Sequence, residues 1–121
     1  DNRLFFTGFI DNIPEILSEL DIFLMTSKTE GLGTSILDAF ASHLTVVSTD
    51  GGGLKETVLH EKTGLLAKVG DSTKLAEHIK ELKADPIKRN KLNQTAFEFV
   101  KDFSKKSTAE KTYQIYQELT K

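Results

Sequence analysis

The stretch Glu30-Gly31-Leu32-Gly33-Thr34-Ser35-Ile36-Leu37-Asp38 has the residue types to hold an anionic ligand rich in hydroxyl groups. Glycines at 31 and 33 remove side chains where the backbone turns into a helix. The N–H groups of Leu32, Gly33, Thr34 and Ser35 can then point at a phosphate or diphosphate. Glu30 precedes that helix start and Asp38 falls about one turn inside it. Were the segment helical throughout, the two acids would stand about 12 Å apart, the reach from a sugar ring across a diphosphate to a ribose. Each carboxylate accepts paired hydrogen bonds from vicinal hydroxyls, so the spacing suits a nucleotide-sugar. The same residues also make an ordinary helix start, capped by Thr34 or Ser35, with Glu30 at the positive end of the dipole and Asp38 facing solvent. Spacing alone does not separate the two readings.

A second polar loop, Thr49-Asp50-Gly51-Gly52-Gly53-Leu54-Lys55-Glu56, lets a backbone approach a ligand or a partner domain, or forms a flexible turn without function, with Glu56 on a short helix beyond it. His43, His60 and His78 are far apart in sequence, and no pair has metal-ligand spacing, so they read as structural or surface residues and no metal site is expected. Asp-x-Asp, phosphate-loop and nucleophile-elbow motifs are absent, which removes the common metal, kinase-like and hydrolase chemistries.

The elements that must position these loops follow from the apolar pattern. Leu4 to Phe6, Ile22 to Met25 and Val46 to Ser48 are short β-rich runs, and Gly64 to Val69 is either a fourth strand or a bare extended segment. Between them, Asn12 and Pro14 open a helix with Ile13, Ile16, Leu17 and Leu20 on one face, predicted to pack on the sheet. A second helix runs from Gly33 to about His43 with Ile36, Leu37, Phe40 and Ala41 aligned. After Gly70 the pattern is helical. Asp71 or Ser72 caps a helix with Leu75, Ile79 and Leu82 inward, ending before Asp85-Pro86. Another follows to Val100 on Ile87, Leu92, Ala96, Phe99 and Val100, and Ser104 caps a last one bearing Ala109, Tyr113, Tyr116 and Leu119. Alternating strands and helices predict an α/β, Rossmann-like parallel sheet of three or four short strands, with ligands expected outside the carboxyl ends of the strands.

The 121 residues fit one domain, mixed β/α over 1–70 and mostly helical over 71–121, with no repeat, low-complexity stretch or linker. A formal net charge of −2 offers no overall positive field for a nucleic-acid backbone. The chain has no cysteine, no apolar run of membrane-spanning length and no signal-peptide pattern at Asp1-Asn2-Arg3, so a soluble, cytoplasmic protein is expected.

The string from Glu30 to Ala41 resembles the Glu-x7-Glu signature of the group 1 (family 4) glycosyltransferases. Four further segments are similar in family order: Phe6 to Pro14, Leu20 to Ser27, Val46 to Glu56 and Lys62 to Leu66. Phe103-Ser104 with Tyr113 and Tyr116 resembles the family's closing helix, so the likeness covers essentially the whole chain. It implies the donor-binding C-terminal part of a GT-B enzyme that transfers a sugar from a nucleotide diphosphate with retention and without a metal or other cofactor. By the resemblance Glu30, Gly31, Leu32 and Gly33 meet the donor sugar. Gly33, Thr34 and Ser35 meet the diphosphate, Asp38 the ribose, and Phe9 and Ile10 lie near the base.

Asp38 stands where a second Glu is usual, Leu32 where Phe is common and Gly51 where Val is typical, and His43-Leu44-Thr45 lacks the usual Gly and Pro. The Arg and Lys that grip the diphosphate in the family, and its acceptor-binding N-terminal domain, are not in this sequence; Lys28 and Lys55 are not at the matching positions. The resemblance therefore implies an incomplete catalytic set and an inactive isolated chain, from a parent enzyme of bacterial polysaccharide or glycoconjugate synthesis at the inner face of the membrane. Two alternatives remain open here: a non-catalytic interaction module docking through the closing helix, and part of a sugar-nucleotide epimerase of the same architecture.

Overall fold

A computed structural model describes residues 2–31, 33–101 and 105–120. Ile22–Met25 (β1), Thr45–Thr49 (β2) and Leu65–Ala67 (β3) form a parallel sheet in the order β1-β2-β3. Phe23 pairs with Val46 and Val47 with Leu65. Every residue of β2 is buried, as expected for the middle of a parallel sheet covered on both faces.

Alternation along β2 divides the core in two. Val46 packs with Leu17, Ile36, Phe40, Leu54 and Val58, whereas Val47 packs on the other side with Leu65, Leu75, Leu82 and Leu92. The helices Ile13–Ser18 (α1), Thr34–Ala41 (α2) and Leu54–Thr57 (α3) serve the first cluster, and Ser72–Ala84 (α4) serves the second. Pro86–Val100 (α5) contributes Leu92 to one and Ala96 to the other, joining them at the sheet's end. Asp71 and Asp85 cap α4 and α5, accepting from the amides of Lys74 and Lys88 at 3.0 and 2.9 Å.

Several expectations require correction. Leu4 to Phe6 forms no strand; Phe5 and Phe6 are 78% and 92% exposed. A strand is stable only when a neighbour completes its ladder, and β1 pairs with β2 alone among the described residues. For the same reason α1 packs by Leu17, while Ile13, Ile16 and Leu20 remain exposed beside the open β1 edge. Asn12 occupies the N-cap position of α1 without a side-chain capping bond. In α2 the buried small residue is Ala39 and not Ala41, and in α5 Ile87 faces solvent. The last helix, Lys105–Leu119 (α6), carries Tyr113, Tyr116 and Leu119 exposed. Phe103, the cap assigned to Ser104, and Leu32 lie outside the described residues.

The histidines are structural. Buried His78 bonds the Leu66 carbonyl through Nε2 at 2.9 Å, and His60 Nδ1 accepts from the Leu66 amide at 2.9 Å. Nearby, Lys88 on α5 pairs with Glu61 at 2.9 Å and with Glu81 of α4. The Lys88 hydrogen bond outweighs desolvation and holds the Glu81 carboxyl below its usual 4.5, while hydrogen bonds to Glu81 and Glu61 raise Lys88. A depressed folded-state pKa gives stability that is present above 4.5 and lost as pH falls through the lower value. Lys88→Met is expected to remove this part of the acid-side stability loss, at most about 1 kcal/mol because the pair is solvent-screened. Urea unfolding at neutral and acid pH checks it; an unchanged difference between the two pH values contradicts it.

Candidate functional site

Because the strands are parallel, the loops leaving Met25 and Thr49 emerge on one side of the sheet. They touch where residues 27 to 31 meet residues 49 to 53. Thr49, 1% exposed, donates its hydroxyl to the Ser27 carbonyl at 2.6 Å, and the Gly53 amide donates to the Glu30 carbonyl at 2.8 Å. The loop after β3 is tied in as well, with the Asp50 amide bonded to the Ala67 carbonyl at 3.0 Å and its carboxylate accepting from the Val69 amide at 3.2 Å.

The three consecutive glycines acquire a reason absent from both sequence readings. A Cβ at Gly51, Gly52 or Gly53 would strike the carbonyl oxygen of Lys28, Glu30 or Gly31 respectively. The close approach is thus to the chain's own Glu30 loop, and Gly52 also adopts φ +57°, a left-handed conformation that disfavours a side chain.

At the head of α2, Gly33 is the N-cap with φ 69°, and a Cβ there would press on the Leu54 side chain at 2.8 Å. Gly33 has no side chain to cap the helix and no side-chain capping bond is made there among the described residues, so Thr34 and Ser35 lie inside the helix and do not act as its caps. Helix begins only at Thr34, so the 12 Å estimate for a fully helical Glu30–Asp38 segment does not apply. Half-buried Glu30 accepts from the Ser27 hydroxyl through Oε1 at 2.9 Å.

Thr34, Ser35 and Asp38 are exposed on α2, and Ser35 and Asp38 share one wall of a groove of about 340 Å³ whose other walls are Phe23 and the apolar face of α1. Glu30 does not line this groove, nor do Phe9, which is 92% exposed, and half-buried Ile10. Lys28 and Lys55 are exposed. Sequence reasoning placed Ser27, Thr49 and Asp50 in or beside the loops at the carboxyl ends of the strands but gave none of them a role of its own. Among the described residues no cluster of three His, Asp or Glu side chains is poised for a metal ion, and no helix is long and apolar enough to cross a membrane.

Residues 1–99 match the model of the family described as "Glycosyl transferases group 1". The chain is 36% identical over 91 residues to N-acetyl-alpha-D-glucosaminyl L-malate synthase of Bacillus anthracis, covering 74% of this chain and 24% of that protein. Anabaena Alr3699/HepE, solved in complex with UDP-glucose, superposes with a TM-score of 0.86 and 28% identity over 99% of this chain and 33% of its own. A solved C-terminal domain of a group 1 glycosyl transferase, LpcC of Francisella tularensis, gives a TM-score of 0.71 at 28% identity, covering 81% of this chain and 50% of that domain. The chain thus spans about a quarter of the curated relative's length and half of that solved domain.

Proposed function

Because the chain belongs to the group 1 glycosyl transferases, we propose that it supplies the donor-binding side of an enzyme that transfers a sugar from a nucleotide diphosphate. The observation that carries this reading is the uncapped start of α2 at the carboxyl edge of the sheet, with Glu30 before it and Asp38 one turn in. The amides of Leu32, Gly33, Thr34 and Ser35 receive the diphosphate. Glu30 and the backbone of Gly31 to Gly33 hold the donor sugar, and Asp38 binds the ribose hydroxyls. Phe9 and Ile10 lie toward the base. Charge develops on the departing diphosphate as the glycosidic bond breaks, and preorganised N–H groups and the helix dipole offset it without a metal.

Residues 1–121 work in this proposal as one donor-binding unit. The remaining groups that neutralise the diphosphate, and the acceptor site, come from the rest of the enzyme, so the isolated chain is inactive. Transfer proceeds with retention, in bacterial polysaccharide or glycoconjugate synthesis in the cytoplasm at the membrane's inner face. The Bacillus anthracis synthase, named for joining a sugar to malate, supports a glycoconjugate product in bacteria and bears on neither polysaccharide nor membrane. Rival roles as an interaction module draw on the exposed Tyr113, Tyr116 and Leu119 of α6.

Calorimetric titration of the full-length enzyme separates the two acids. Asp38→Ala is expected to weaken a nucleoside diphosphate and its sugar conjugate alike, by roughly tenfold or more for lost charged hydrogen bonds. Wild-type affinity for both ligands in that variant would remove Asp38 from the ribose, and sugar transfer by the isolated chain at the parent's rate would remove the divided site.

A further inference from the structure

We propose that Ser27 is a positioning residue for Glu30, itself fixed by Thr49, so that the donor-sugar carboxylate is aimed from the core of the sheet. The inference rests on the donor-binding role given to Glu30 above. Glutamate in a loop has several rotatable bonds, and a carboxylate must be held in orientation before it can select a particular pair of hydroxyls. Three contacts supply that restraint. Ser27 Oγ donates to Glu30 Oε1 at 2.9 Å, Thr49 Oγ1 donates to the Ser27 carbonyl at 2.6 Å, and the Gly53 amide donates to the Glu30 carbonyl at 2.8 Å. Thr49 is 1% exposed at the end of fully buried β2, so the anchor of the relay does not move with solvent.

Ser27 has one hydroxyl proton and two acceptors in reach. Met25 Sδ lies at 3.3 Å, but a thioether is a weak acceptor and an ionised carboxylate a strong one, so the proton goes to Glu30. This engages Oε1 and leaves Oε2 without a partner among the described residues, turned over to the incoming hydroxyls. Ser27 never touches the sugar in this arrangement. Its loss acts only through Glu30 and is felt by ligands that carry the sugar.

The test uses the full-length enzyme and the tightest-binding of UDP-glucose, UDP-N-acetylglucosamine, GDP-mannose and ADP-glucose, with the matching nucleoside diphosphate as control. Ser27→Ala should weaken the nucleotide-sugar about tenfold and the nucleoside diphosphate by less than about twofold, as for loss of a charge-assisted hydrogen bond. Ser27→Thr should restore affinity, and Thr49→Val should reproduce the sugar-selective loss in weaker form. Adding Ser27→Ala to Glu30→Ala, which leaves the Ser27 hydroxyl no side-chain acceptor at 30, should cost almost nothing further, because the two act as one unit. If Glu30→Gln weakens the nucleotide-sugar while Ser27→Ala does not, or if Ser27→Ala weakens both ligands equally, the positioning role is overturned and the donor role of Glu30 stands. If Glu30→Gln changes nothing, or no nucleotide-sugar binds, the donor role fails and the positioning role with it.

Discussion

Glu30→Ala in the full-length enzyme should lower kcat/KM for sugar transfer by at least about a hundredfold, because each charged hydrogen bond to a sugar hydroxyl contributes roughly 1.5–3 kcal/mol and two are lost. Folding should be almost unaffected. The side chain is half-buried in a loop, and the bond that ties this residue to the Gly53 amide uses its backbone carbonyl, which alanine keeps. Steady-state kinetics together with a thermal melt check both halves. Transfer at the wild-type rate would show that the carboxylate does not touch the donor.

Gly52→Ala should be more damaging than any other single-methyl addition in the second loop's setting, for two additive reasons. Residue 52 sits at φ +57°, and its new Cβ would collide with the carbonyl oxygen and amide of Glu30. The backbone strain costs about 1–3 kcal/mol, and relief of the collision must push the Glu30 loop outward. Reduced stability in urea and weakened donor binding are both expected. Gly70→Ala is the control, since φ there is +87° but nothing lies within 4 Å of the added atom. It should show the strain without the loss of donor affinity. Normal donor binding by a folded Gly52→Ala enzyme would contradict the buttressing role of the second loop.

Much of this arrangement is legible in the chain because it is local. Ile22 to Met25 is a short β-branched and aromatic run with nothing else to be, and it is β1 to the residue. Gly33 before Thr34-Ser35-Ile36 marks a helix start, and α2 begins there. The contacts that make the site rigid are tertiary, and no periodicity announces them. Thr49 and Ser27 are 22 residues apart, and their hydrogen bond exists because parallel pairing brings two strand ends side by side. The glycines at 51 to 53 could be read as room for a ligand, since a missing side chain does not say which backbone fills the space. Leu4 to Phe6 misled for the opposite reason. Their composition suits a strand, but strand formation needs a neighbour, and β1 pairs with β2 alone among the described residues.

Amide hydrogen exchange of the full-length enzyme, with and without a bound nucleotide-sugar, tests the donor site most directly. Protection should concentrate in residues 27 to 41, covering the Glu30 loop and the first turns of α2, while the Lys88 network between α4 and α5 stays unchanged. Saturating nucleotide-sugar that leaves exchange across residues 27 to 41 unaltered would contradict the assignment of that segment as the donor site.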